Sequence, residues 1–252
     1  MMCNIFVKAS CHKLHEVLSG LNGQVRDILS TTSFGYLLDL PAQSGDGLLI
    51  HGLLLHMLRP TVETDTAERL HFRFSRRTLS FGPEEFCIVS GLYMGCCPRS
   101  RIEFSIMYKH GYIENTFRSR VFPYRTDTSL LVEDLELLIL NQRFNEISAH
   151  DGVCVILLYI LNQGFLGKEF NDKVTKEFLW VVENLDGCNR FCWGSYLWSK
   201  TYTNLPGASS SNPSCGNIQS TQSTEQTHTV GINKRTAREI MTRLQSLEEE
   251  FR

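Results

Sequence analysis

The sequence has no long apolar run. Its longest unbroken stretch, Val153 to Leu161, is about half of the ~18 residues that suggest a membrane span, so no membrane association is expected. Neither sign of charge dominates: 25 Lys and Arg face 27 Asp and Glu, a net charge of −2. That balance argues against a uniformly basic nucleic-acid binder. Glycine-rich phosphate loops of the usual spacing are missing, as are the paired Cys-x2-Cys arrangements of robust zinc sites. Met1 is not followed by a basic stretch, an apolar core and a small-residue cleavage site, so no secretory signal is expected. The nine cysteines are odd in number. Together these features point to a reduced, intracellular compartment, nucleus or cytoplasm, rather than a disulfide framework.

What is present suits one domain of ordinary size with appendages. The 252 residues are 42% hydrophobic and 21% charged, enough for a core that needs neither disulfides nor metals. Residues 1–12 carry little signal. From Lys13 to Ser30, Leu14, Val17, Leu18, Leu21, Val25, Ile28 and Leu29 make a helical stripe. Gly20 and Gly23 weaken it by up to ~1 kcal/mol each, so a break is expected there. Phe34 to Leu40 is a short apolar block ended by Pro41. Leu48 to Leu58 is apolar nearly all round, with Asp46 placed to cap it, and reads as a core helix stopped by Pro60. Leu70, Phe72 and Phe74 alternate with polar residues, and Leu79 and Phe81 resume the alternation after Arg76-Arg77, the pattern of a β-hairpin with one apolar face. Its turn lacks Asn-Gly, which leaves the register open.

In Phe81 to Leu92, Gly82 permits a sharp turn and Pro83 suits the first helical position. Glu84 and Glu85 favour the positive end of the helix dipole. Phe86, Ile88, Val89 and Leu92 are expected to be buried, with Gly91 as the stop. Further helices are expected from Asp127 or Thr128, from an Asp151 cap through Leu161, from an Asn171 cap to Gly187, and around Trp193 to Trp198. Residues 13–203 thus form a mainly α (α+β) domain: several helices and one small hairpin. Residues 204–233 hold one charged residue, Glu225, among Ser, Thr, Gln, Asn, Gly and Pro, and read as a disordered linker. In 234–252, Ala237, Ile240, Leu244, Leu247 and Phe251 follow spacings of three and four. That is an amphipathic helix of about two heptads, short of the three or four of a coiled coil. Ile240, Leu244, Leu247 and Phe251 are its candidate partner-docking residues.

Several blocks, in order, resemble one family. They are Phe34-Gly35-Tyr36-Leu37-Leu38-Asp39-Leu40-Pro41, the Leu-rich helix ending Leu58-Arg59, and the hairpin leading into Phe81-Gly82-Pro83-Glu84-Glu85-Phe86-Cys87-Ile88-Val89-Ser90-Gly91-Leu92. Val155-Ile156-Leu157-Leu158-Tyr159-Ile160-Leu161 and Trp193-Gly194 follow. Together, from Leu14 to Tyr202, they resemble the plant domain of unknown function 1985. Pro60 stands where an acidic residue is usual in that family, and Ser90 where Thr is usual. The resemblance implies an accessory, mainly helical module. Such modules often lie N-terminal to Ulp-type cysteine-protease domains, which process the ubiquitin-like modifier SUMO, in proteins derived from Mutator-like transposons. It supplies no functional residues to carry over.

Catalytic residues, cofactors and metal ligands are not predicted. Cys215, in Ser214-Cys215-Gly216, lies in the low-complexity stretch with no folded base or oxyanion site around it, both of which a nucleophile needs. Cys11, His12, His15 and Cys3 are metal-capable but unpaired in motif. His51 and His56 read as core or helix-edge residues. Asp134 and Glu136, two apart, point to different helix faces and make no acid/base pair. From Arg69 to Arg125, ten Lys and Arg against four Asp and Glu give a local balance of +6. Within it Arg73, Arg76 and Arg77 are the candidate nucleic-acid contacts, although the alternation puts Phe72 and Phe74 on the face opposite Arg73. The leading expectation is a non-enzymatic accessory or protein-interaction module whose partner is a protein. The alternatives are nucleic-acid binding through the 69–125 segment, and a truncated fragment of a Ulp-type protease protein.

Overall fold

The computed structural model describes residues 11–40, 47–58, 68–95, 116–125 and 129–205. Asp46, Pro60, Cys3, Cys215, nearly all of the expected linker and the whole Ile240–Phe251 helix lie outside the described residues. The chain is mainly helical with one antiparallel hairpin, as the residue patterns predict. It divides into two compact units, one holding Asp46–Gly82, the other Val7–Gly45 and Pro83–Thr201.

The smaller unit contains α3 (Gly47–Leu55), β1 (Leu70–Phe74) and β2 (Arg77–Phe81). The register pairs Leu70 with Phe81, Phe72 with Leu79 and Arg73 with Thr78. A two-residue turn fixes it, with Ser75 at φ 49° in place of the usual glycine or asparagine. The chain leaving α3 runs along the other side of β1. Leu58 N–H donates to His71 O (2.7 Å), and Arg73 N–H to His56 O (2.8 Å). His56 also stacks on Phe74, 4.9 Å between ring centroids, and its Nδ1 lies 2.8 Å from Gly52 O. It is a satisfied structural residue. This unit is less buried than its apolar pattern predicts: Leu55 is 70% exposed and Leu79 47%. One helix and one ribbon have too little surface to cover an all-round apolar helix.

The larger unit is organised around α7 (Ala149–Tyr159), which continues as a π-helical turn, Ile160–Phe165. Every residue from Asp151 to Gln163 is buried. The same apolar run that was too short for a membrane span becomes a helix covered on all sides. Its N-cap is Ser148, whose Oγ accepts from Asp151 N–H (3.1 Å); Asp151 sits in the first turn and is not the cap. α2 (Gly23–Ser30), α6 (Val132–Ile139) and α8 (Lys176–Glu183) pack against α7. The closest approach is at Gly152, where an added Cβ would lie 3.0 Å from Val25 Cγ2.

The remaining elements seal this core. The Lys13–Ser30 stripe is broken as expected, into α1 (Cys11–Ser19) and α2, with Asn22 Oδ1 capping Val25 N–H at 3.0 Å. At the far end, α9 (Leu185–Arg190) and α10 (Trp193–Asn204) follow α8. Trp193 is fully buried, 5.4 Å from both Phe34 and Phe178 and 4.3 Å from Phe191 by ring centroids. Its indole N–H donates to Cys188 O at 2.8 Å. Thr175, with no side-chain cap bond, precedes α8 where Asn171 was expected, and Gly187 falls inside α9.

In α4 (Pro83–Ser90) the entry and exit signals hold. Pro83 is the first residue, Glu84 and Glu85 lie in the first turn, and Gly91 stops the helix at φ 67°. Its buried side is smaller than predicted. Leu92 is buried and Phe86 half-buried, 5.6 Å from Trp198, but Ile88 is 82% and Val89 78% exposed. Leu92 lies beyond the helix, after the left-handed Gly91, so it enters the core from the turn and not from the helix face. Among the described residues, no helix is long and apolar enough to cross a membrane.

The two kinds of apolar position respond differently to substitution. Gly152→Val is expected to lower stability by about 1–3 kcal/mol through overpacking between α2 and α7, while Ile88→Ser stays within about 0.5 kcal/mol of wild type. Chemical denaturation of the intact chain measures both.

Candidate functional site

α1 and α6 flank one side of α7 without closing over it. They leave an open cleft of about 270 Å³, lined by Lys13, Glu16, Val17, Gly20 and Leu21 on one wall and Glu136, Ile139, Leu140 and Phe144 on the other. Tyr159, from the last turn of α7, forms its floor.

Each wall has a local cause. α1 packs on the π turn, where a Cβ on Gly164 would meet Leu14 at 3.2 Å, and the break after it is pinned by Asn22 donating to Asn145 Oδ1 at 3.3 Å. α6 begins where Asp134 accepts from Leu131 N–H (2.9 Å) and from Arg125 Nε (3.0 Å). Val132 and Glu133 N–H groups donate to Asp172 and Phe170 carbonyls, both at 3.0 Å. Asp134 is therefore consumed by the helix start. Glu136, two residues on, faces the cleft and pairs with Lys13 Nζ at 3.4 Å. The two carboxylates diverge, as their spacing predicts.

The polar groups of the cleft are unevenly satisfied. Lys13 bridges Glu136 and the ring of Phe170, 4.6 Å from its centroid. Glu16 has no ion-pair partner among the described residues. Tyr159 is 0% exposed, and its hydroxyl oxygen is buried without a hydrogen-bond partner. Burial, helped by the charges of Glu136 and Glu16, pushes its phenol up to about 12. Among the apolar lining residues, Leu140 is 73% exposed.

A second polar cluster lies at the start of α7. Arg120, on α5 (Thr116–Val121), grips Asp151 with two bonds, Nε to Oδ2 at 3.2 Å and NH2 to Oδ1 at 2.7 Å, and reaches Glu183 at 3.9 Å. Burial alone would raise Asp151, but bonds from Arg120 and Ser148 outweigh it and hold the carboxyl below its ordinary range. His150 and Cys154 are nearby, 3.8 Å apart, a juxtaposition that superficially suggests a nucleophile and base. The thiol instead donates to Val182 O at 3.2 Å. Burial, then Asp151 and Glu183, push it far above the usual thiol range. An activated cysteine requires the opposite environment. This cluster fastens α5 and α8 to α7.

The sequence-nominated residues are not brought together. Arg73, Arg76 and Arg77 are all exposed, yet Arg73 pairs across from Thr78 on one face, Arg77 across from Phe74 on the other, and Arg76 sits in the turn. Among the described residues no group of three or more His, Cys, Asp or Glu could hold a metal ion. His15 Nδ1 lies 3.4 Å from Ser19 Oγ. Cys154, Cys188 and Cys192 are buried. The cleft is not legible in the sequence because its walls, residues 13–21 and 136–144, are more than 110 positions apart. The one available signal was Tyr159, a hydroxyl interrupting an otherwise apolar run.

Removing an unpaired buried hydroxyl relieves a desolvation cost. Tyr159→Phe is therefore expected to leave stability unchanged or raise it by up to about 1 kcal/mol, read from thermal and denaturant unfolding. A loss above that size would reveal a hidden partner for the hydroxyl.

Neither the curated proteins nor the solved structures contain a match to this chain. A family model does match, over residues 58–204. That span begins at the end of the Leu-rich segment and takes in the hairpin, the Phe81–Leu92 block, α7 and Trp193-Gly194, while the Phe34–Pro41 block precedes it. With more than half of its length matched, the chain belongs to the family Domain of unknown function (DUF1985).

Proposed function

We propose that this chain is a non-enzymatic protein-interaction module and that the cleft between α1 and α6 is where a partner protein docks. The observation that carries the reading is the cleft itself: an open, largely apolar trough between α1 and α6 with Leu140 73% exposed at its edge. Exposed apolar side chains edging a concavity are characteristic of binding surfaces. The acidic, thiol and imidazole groups near α7 serve packing and ion pairing, which supports a role without turnover. The family resemblance suggests the setting: an intracellular plant protein, in nucleus or cytoplasm, acting beside transposon-derived Ulp-type proteases.

Affinity capture from plant nuclear extract with the intact chain tests this. Proteins retained by wild type are expected to fall at least about tenfold with the Leu140→Asp variant, the loss of about 1.4 kcal/mol or more of contact energy. An identical captured set from both would contradict it.

A second reading, nucleic-acid contact through the hairpin, is favoured by the exposure of Arg73, Arg76 and Arg77 and weakened by their division between two faces. It predicts DNA binding that declines steeply with salt and is lost on changing the three to Ala. No binding at low salt would dispose of it.

A further inference from the structure

We propose that the open edge of β2 pairs antiparallel with the same edge of a second copy of this chain, about a two-fold axis at Leu79, joining the two hairpins into one sheet. The inference goes beyond the docking reading and is independent of the α1/α6 cleft.

The edge follows from the register. Phe74 and Arg77 close the two-residue turn, so that pair, and with it Phe72–Leu79 and Leu70–Phe81, exchange the ladder bonds. The alternate residues of β1 face the other way: His71 O and Arg73 N–H bond to Leu58 and His56. By the same alternation, the N–H and C=O groups of Thr78 and Ser80 point outward from β2. Among the described residues these backbone groups meet no partner, and Thr78, Leu79 and Ser80 are all exposed. An unpaired edge is a template for another strand, and proteins usually blunt it. β2 has no proline and no bulge, and its central residues, Thr78-Leu79-Ser80, are uncharged.

The edge is self-complementary, which selects a second copy as its occupant. Thr78 is set opposite Ser80 of the second copy, and Ser80 opposite its Thr78. Within the strand this is the one antiparallel register that meets every outward group of both chains. Leu79 then lies across the axis from its own counterpart. That is the closely spaced, non-hydrogen-bonded kind of pair, in which side chains pack most tightly. It covers an apolar side chain that is 47% exposed in the single chain. The charges agree with this register. Arg77 faces Phe81 of the second copy, a ring that attracts a cation, and no arginine of β2 is set opposite another. The hydroxyls of Thr78 and Ser80 stand across from one another, a favourable cross-strand pair. A two-stranded ribbon is marginal alone, and joining two of them through their edges extends the sheet. A contact that uses the same patch on both partners closes as a dimer and does not propagate.

Sedimentation equilibrium of the full 252-residue chain over about 1 to 500 µM tests the proposal. The mass is expected to rise with concentration toward twice 28.8 kDa. Leu79→Lys sets two like charges across the axis, and Thr78→Pro removes an outward N–H without costing a ladder bond to β1. Each is expected to weaken the dimer at least about tenfold, with an unchanged circular dichroism spectrum. Amide exchange of the wild-type chain, resolved by NMR, gives a readout that stands even where a variant fails to fold. Exchange at Thr78 and Ser80 is expected to slow as concentration rises. A monomer at every concentration, a dimer that both folded variants leave intact, or exchange at Thr78 and Ser80 that ignores concentration would overturn the proposal. A dimer lost with Leu140→Asp but kept by the edge variants would put self-association at the cleft and overturn it equally. Protection of Thr78 and Ser80 that arises only when a different protein is added would assign the edge to that protein's strand and overturn the second copy as occupant.

Discussion

The larger unit depends on one constraint: a helix with no polar face must be covered on every side. From Asp151 to Gln163 the chain leaves no position exposed, and burial of this run, at roughly 1.5–3 kcal/mol per large aliphatic side chain, is the dominant favourable contribution visible in the fold. Three helices pack on it, and the aromatic group around Trp193 closes the region beyond them. The polar atoms carried into that interior are handled individually. Asp151 is gripped by Arg120 and positioned by Ser148, and Asn162 donates to Leu158 O (2.8 Å) while accepting from Thr175 N–H (3.1 Å). Tyr159 Oη and Gln163 Oε1 are the exceptions, buried with no hydrogen-bond partner among the described residues, and Tyr159 borders the α1/α6 cleft.

That coincidence connects fold to function. α1 is a single short helix, ended at Gly20, and α6 is eight residues long. Two short helices on one side of a long buried one leave a gap between them, and the gap falls over the tyrosine. A core built for stability alone would close it with a phenylalanine and a bulkier wall. Here the opening keeps two carboxylates and the exposed Leu140 together. Such a departure from full satisfaction is more typical of sites than of scaffolds.

Much of the architecture was legible in the sequence, because local signals and tertiary outcome agree. The apolar run at Val153–Leu161 became the central helix, Gly20 and Gly23 marked a real break, and Pro83 and Gly91 bound α4. The errors share a physical origin. Ile88 and Val89 were assigned to the core because a short apolar segment does not reveal which of its faces has a neighbour. Asp151 was taken for a cap because Ser148, three residues earlier, carries the same local chemistry. The cleft was not legible, since it joins residues 13–21 to 136–144 and hydrophobic periodicity contains no information about which helices become neighbours. Asp134 and Glu136 show the limit most clearly: their divergence followed from spacing, but that one ends in an ion pair with Arg125 and the other at an open cleft did not.

The central claim is that the α1/α6 cleft, rather than the basic hairpin, is the working surface of this protein. Hydrogen–deuterium exchange of the intact chain, alone and bound to a captured partner, tests it most directly. New protection is predicted across residues 13–21 and 136–144, with the hairpin at 70–81 unchanged. Protection confined to the hairpin, with the cleft helices exchanging as in the free chain, would contradict the account.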